Sequence, residues 1–136
     1  MPKIISIATS GKGLFDITDR LRETLRTYSA RSGILHIFVM HTSASLIVQE
    51  NADPDVGADL IDHFDRMVPE NAPYRHIAEG ADDMPAHIKS ALTNVSLSLP
   101  VDDGELLLGA WQGVYLFEHR HLSHERKIAL TFSREA

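Results

Sequence analysis

Ile34-Leu35-His36-Ile37-Phe38-Val39-Met40-His41-Thr42-Ser43-Ala44-Ser45-Leu46-Ile47-Val48 is an apolar run with a histidine and three hydroxyls set into its middle. Its β-branched and aromatic residues favour a pleated, largely buried strand, on which successive side chains point to opposite faces. His41, Ser43 and Ser45 would then share one face, with Thr42 and Ala44 on the other. A core strand has little reason to hold four polar side chains, because burying such groups without partners costs roughly 1–3 kcal/mol each. Either the strand meets solvent here or these groups have partners, a metal or a ligand. The segment from His41 to Ser45 is therefore read as the floor of a site. The plainer alternative is a hydrogen-bonded core histidine beside ordinary hydroxyl to backbone bonds.

The rest of the chain sets the bounds. Its 136 residues suit one domain, long enough to bury a core without disulfides. The 43% apolar and 24% charged content is that of a soluble globular protein, and no run approaches the ~20 apolar residues of a membrane span. The first residues lack a basic stretch followed by an apolar one, so no export signal and a cytoplasmic location are expected. The absence of cysteine excludes disulfides, thiolate catalysis and Cys-type zinc sites. A net charge of −6 argues against nucleic-acid binding, which runs on clustered Lys and Arg. Eight histidines are the unusual feature of the composition.

Around the central run, Lys3 to Thr9 reads as a first strand turned at Ser10-Gly11-Lys12-Gly13 into a second, Leu14 to Ile17, as a hairpin. Thr18 or Asp19 can cap a helix carrying Leu21, Leu25 and Tyr28, with Gly33 as its stop. After the run, Asp53-Pro54 opens a helix whose buried stripe would be Val56, Leu60, Phe64 and Met67, with Asp55, Asp59, Asp62 and Asp65 on the wet side. From Pro69 to Met84 the chain reads as a long irregular loop, of the kind that usually binds something. Asp82 or Asp83 before Pro85 signals a third helix, with His87 in its first turn. Val95 to Val101 alternates as a strand, Asp102-Asp103-Gly104-Glu105 turns it, and Gly109 to His119 and Arg126 to Phe132 complete the set. The sum is a single α+β domain of about seven strands, forming a mostly antiparallel or mixed β-sheet, with about three helices.

Three regions distant in sequence offer ligand-type side chains at element ends. These are His41 with Ser43 and Ser45, His76 through His87 with Glu79, Asp82 and Asp83, and Glu118-His119. Histidine and carboxylate sets of this kind hold zinc or another divalent metal. The same places could instead hold an anion, through the hydroxyls at 42, 43 and 45 and through Arg75 or Arg120. No Walker loop, dinucleotide-binding glycine pattern or nucleophile elbow is present.

Four stretches carry a resemblance: His41-Thr42-Ser43-Ala44-Ser45-Leu46, Asn51-Ala52-Asp53, Glu79 to Lys89, and Leu108 to Arg120. Together they resemble the YjbQ-like family, also called the secondary thiamine-phosphate synthase family, across nearly the whole chain. The sequence departs from the family motif at Ala110, where a Thr usually precedes the Trp. The resemblance implies an α+β homotrimer and an activity that joins a pyrimidine pyrophosphate to a thiazole phosphate, releasing pyrophosphate. Carried over residue by residue, it implies catalytic roles for His41, His87 and Glu118. It implies substrate contacts from Thr42, Ser43, Ser45, Asn51, Asp83, Trp111, Gln112 and Arg120, and ligation of a zinc or magnesium ion by His41, His87 and His119. The expected partners are a small phosphorylated molecule and further copies of the chain. A module that captures such a ligand without turnover is the competing expectation.

Overall fold

The computed structural model describes residues 1–29 and 31–136. The apolar run that dominates the sequence is two strands, not one. β3 (Gly33–Val39) stops before Met40, the chain bends at Thr42 and Ser43, and β4 (Ala44–Glu50) continues in a different sheet. Alternation cannot reveal such a break, because residues on both sides keep the composition of a strand.

The larger sheet has the order β1-β8-β3-β5-β6, where β1 is Lys3–Thr9, β5 is Ser96–Asp102, β6 is Glu105–Leu106 and β8 is His124–Arg134. The smaller has the order β2-β7-β4, with β2 at Gly13–Asp16 and β7 at Gln112–Glu118. Every strand pair among the described residues is antiparallel. The expected α+β domain with mostly antiparallel strands and three helices is what the described residues form, its strands divided between two sheets. The expected β1–β2 hairpin is corrected: β1 pairs with β8 and β2 with β7, so residues 10–12 cross between sheets. The β5–β6 hairpin stands where Asp103 (φ 48°) and Gly104 (φ 78°) both take left-handed backbone, which suits a tight two-residue turn.

The core fills the space between the sheets. Ile5, Leu35, Ile37, Val39, Leu99, Ile128 and Leu130 project from the larger one, and Leu46, Val114 and Leu116 from the smaller. α1 (Thr18–Arg26) adds Leu21 and Leu25. It ends before Tyr28, well short of the expected stop at Gly33, which instead opens β3. Its N-cap is Ile17, not the expected Thr18 or Asp19, and the Thr18 amide donates to Asp16 Oδ1 at 2.9 Å.

α2 (Pro54–Met67) and α3 (Asp83–Leu92) cover the other face of the smaller sheet, where Phe64 meets Phe117 edge-on at 5.4 Å. Asp53 caps α2 through the Asp55 amide, as the Asp-Pro pair suggested. Val56, Leu60 and Phe64 of α2 are only half-buried and Met67 is exposed, so the expected stripe is not a fully buried face. Asp65 departs from the wet side: its carboxylate accepts from Lys12 at 2.8 Å and from the buried Lys89 at 2.6 Å. α3 starts at Asp83, and the side chain of Asp82 caps nothing because it is turned to Arg120.

Candidate functional site

The crossover from β3 to β4 leaves the regular ladder, so its polar groups find partners elsewhere. Lys127 on β8 takes both sides of it: its carbonyl accepts from the Met40 amide at 3.0 Å and its amide donates to His41 Nε2 at 2.7 Å. His41 Nε2 is therefore an acceptor and carries no proton. Burial is the main cause that holds this imidazole below its ordinary pKa, and the charge of Arg126 adds to it. Arg126 Nη2 donates to both the carbonyl and the hydroxyl of Ser43.

α3 runs beside β4 and brings a second set of groups to this crossover. His87 Nδ1 lies 2.9 Å from the Thr42 carbonyl, an acceptor that fixes the ring proton on Nδ1. One helical turn earlier, Asp83 Oδ2 lies 3.1 Å from His87 Nε2 and 2.6 Å from His76 Nε2. The donor atoms of His76, Asp83 and His87 fall within 4.8 Å of one another and form the one cluster among the described residues able to hold a metal ion. Arg120 stiffens it by donating to Asp83 Oδ1 at 2.6 Å, to Asp82 Oδ2 at 2.9 Å and to the Glu79 carbonyl at 2.9 Å. Burial pushes the Asp83 carboxyl up, but the His76 hydrogen bond and the charges of His87 and Arg120 win and hold it below the usual carboxylate range.

Between the crossover and α3 lies an open cavity of about 230 Å³, walled by His41, Thr42, His87, Ser90, Ala91 and Val95. Larger hollows of about 410 Å³ at the start of α2 and 490 Å³ beside the ends of β3 and β5 bring no histidine to their walls. The smaller cavity is the candidate site because two imidazoles converge on it beside a His-Asp-His cluster.

The structure divides the residues expected at one site into three environments. His41, Thr42 and His87 share the cavity. Asp83 and Arg120 stand behind it, with Arg120 engaged by carboxylates and so turned away from any anion. Glu118 and His119 are corrected from site residues to interior ones. Glu118 is fully buried and accepts from Thr9, from Arg126 and from the amides of His119 and Arg120, which leaves it no capacity for a substrate. His119 is buried against Phe117, its Nε2 paired with Ser45 Oγ at 2.8 Å, and it touches neither His41 nor His87 through any polar atom. Burial drives its pKa down to about 3, so it is a neutral core residue. Ser43 and Ser45 likewise serve Arg126 and His119, not the cavity.

Asn51, Trp111 and Gln112 form a separate knot, in which the Asn51 amide donates to the Trp111 carbonyl and Asn51 Nδ2 to the Gln112 carbonyl. In the β4–β7 ladder Ala44 faces Glu118 while Glu50 faces Gln112. Six residues of strand, roughly 20 Å, therefore separate this knot from the crossover within one protomer. His76 is the residue that motif transfer left without a role. The four-residue spacing of Asp83 and His87 on one helix was the legible sign of a shared face, but His76 comes from a loop whose path no periodicity describes.

Comparison with known proteins gives one consistent picture. The model of a family described as UPF0047 protein YjbQ-like matches residues 3–135. The UPF0047 protein sll1880 of Synechocystis is 48% identical over 134 residues, which cover 98% of this chain and 91% of the relative. The UPF0047 protein YjbQ of Salmonella typhimurium is 47% identical, with 98% and 97% covered. Among solved structures, a YjbQ/UPF0047 protein from Clostridium acetobutylicum superposes with a TM-score of 0.89 at 32% identity, covering 96% of this chain and 99% of that one. A conserved hypothetical protein from Thermus thermophilus gives 0.86 at 34% identity, with the same coverage.

Proposed function

The chain belongs to the UPF0047 YjbQ-like family, and from that premise we propose that it works on a small phosphorylated substrate in the cavity between the β3–β4 crossover and α3. The reaction would be that of a thiamine-phosphate synthase: the thiazole nitrogen bonds to the pyrimidine methylene carbon as the carbon–oxygen bond to pyrophosphate breaks.

One observation carries this reading. His41 and His87 meet on one cavity wall with different duties, since His41 Nε2 is already an acceptor for Lys127 and His87 Nδ1 is turned to Thr42. The nitrogen that remains to His41 is therefore Nδ1–H, a neutral donor suited to an oxygen that gathers charge as a bond breaks. His41 is in this reading a donor rather than a base or a metal ligand.

The departing pyrophosphate also needs positive charge nearby. Arg120, Arg126 and Lys89 are all paired with carboxylates, so the chain's own cations near the cavity are spent.

The test incubates purified protein with the pyrimidine pyrophosphate and the thiazole phosphate, with and without divalent cations, and follows thiamine phosphate and pyrophosphate. Equal amounts of both products, lost in His41→Ala, are expected. Saturable retention of either substrate with no pyrophosphate released would replace the enzyme by the binding module.

Assembly belongs to the same proposal. The larger sheet exposes Ile4, Ile34 and Phe38, with Met40 exposed just beyond the end of β3, which suits contact with further copies of the chain in a trimer.

A further inference from the structure

His87 lies between two oxygens that fix the direction of both of its ring nitrogens. It has an oxygen acceptor at each nitrogen, the Thr42 carbonyl 2.9 Å from Nδ1 and the Asp83 carboxylate 3.1 Å from Nε2. With Nδ1 held by the Thr42 carbonyl, Nε2 is the ring nitrogen turned to the carboxylate, where a cation could lie between the two. His76 brings a second imidazole nitrogen to the same Asp83 oxygen at 2.6 Å.

We infer that His76 Nε2, Asp83 Oδ2 and His87 Nε2 form a three-ligand site for a zinc-type divalent cation, with the remaining coordination position open beside the cavity walled by His41 and Thr42. Two imidazoles and one carboxylate are the donor set of catalytic zinc, and imidazole nitrogen favours first-row transition ions over magnesium. The outer partners are those such a site uses. A backbone carbonyl orients His87, and Arg120 occupies the other oxygen of Asp83. Bonds of about 2.0–2.2 Å would place ligand atoms roughly 3.4 Å apart in a tetrahedron, so Asp83 Oδ2 and His76 Nε2 must part by less than about 1 Å. The exposed loop that carries His76 can supply that movement, since among the described residues the His76 side chain is hydrogen-bonded to Asp83 alone.

This set replaces the expected His41, His87 and His119. His41 gives its Nε2 to Lys127, and His119 is sealed in the interior with Ser45. The inference rests on the proposed phosphate chemistry only for its role, where the cation would supply the charge that Arg120, Arg126 and Lys89 have already spent. Binding itself rests on the donor geometry.

The experiment titrates zinc into untagged, chelator-treated full-length protein by calorimetry, with magnesium as comparison and circular dichroism to confirm folding. One zinc per chain is expected, bound at least 100-fold more tightly than magnesium. His76→Ala, on the exposed loop, should weaken zinc at least 10-fold without loss of fold, and Arg120→Met should weaken it about 10- to 100-fold by freeing Asp83. His41→Gln and His119→Gln should leave the zinc affinity unchanged. No zinc bound, or zinc bound with equal affinity by the His76→Ala protein, overturns the site. Zinc bound as expected with no thiamine phosphate formed overturns the proposed reaction and leaves the site standing.

Discussion

Arg126 and Glu118 form an ion pair inside the protein, with Nε of the arginine 2.7 Å from Oε1 of the carboxylate and neither side chain more than 4% exposed. The pair joins β8 to the end of β7, and the same guanidinium reaches Ser43 in the crossover. It thus fixes the wall of the cavity from behind. Charges taken out of water in this way contribute little net stability while paired, but a lone one is costly. Glu118→Gln and Arg126→Met should each lower the unfolding free energy by about 3–5 kcal/mol in urea titrations. A loss of activity with unchanged stability in Glu118→Gln would instead restore the catalytic role that the motif suggested.

His119 makes stability depend on pH. Its folded pKa is about 3 against an ordinary value of 6.5, so between these values the unfolded chain binds a proton that the native protein refuses. Its contribution is fully present above pH 6.5 and is lost as the pH falls toward 3. The slope from this one group is about 1.4 kcal/mol per pH unit. His119→Gln, which keeps a nitrogen near Ser45, should flatten the decline between about pH 6 and pH 4 by that slope. Equal slopes in both proteins would show that His119 titrates normally.

His41 can be tested apart from any metal. In His41→Ala the Lys127 amide loses its acceptor, which should cost about 1–3 kcal/mol of stability. His41→Gln keeps an acceptor in reach and should recover part of that loss, yet it removes the ring donor on the cavity side. Thermal melts should therefore rank wild type, Gln, Ala, while activity is low in both variants. Activity retained in His41→Gln would show that the amide serves as well as the imidazole.

Asp65 holds two lysines, one of them the almost fully buried Lys89. Asp65→Asn leaves Lys89 charged and unpaired beneath α2, and a loss of about 3 kcal/mol is expected in chemical denaturation. The double variant Asp65→Asn with Lys89→Met should regain much of it. Asp62→Asn, on the exposed face of the same helix, should change stability by less than about 0.5 kcal/mol.

Sedimentation at micromolar concentration checks the trimer. A species three times the 15.1 kDa chain is expected. Phe38→Asp on the larger sheet should dissociate it while the protomer stays folded, because Phe38 is half-exposed within one protomer. A trimer that survives Phe38→Asp places the interface elsewhere.

The local elements were legible wherever a single side chain or dipeptide dictates backbone geometry. Asp53-Pro54 capped and opened α2, and Asp103-Gly104 turned β5 into β6, because these residues act through bonds within a few positions of themselves. The α+β composition followed from such elements, and the histidine and carboxylate richness of the site was visible as residue types. What the sequence could not decide was every relationship made by hydrogen bonds between distant strands. The polar stretch His41-Thr42-Ser43 interrupts the apolar run without saying that the chain changes sheets there, which it does because Lys127 and Arg126 from β8 take the crossover's polar groups. Neighbouring positions Glu118 and His119 read as a ligand pair, but the ladder that sets Ala44 against Glu118 buries them with Arg126 and Ser45. His76 joined the site for the converse reason: a loop without periodicity was folded back onto Asp83, whose position is set by α3 and by Arg120. Residue type determined which groups can carry chemistry, and only the tertiary contacts decided which of them have a free nitrogen or oxygen left to use.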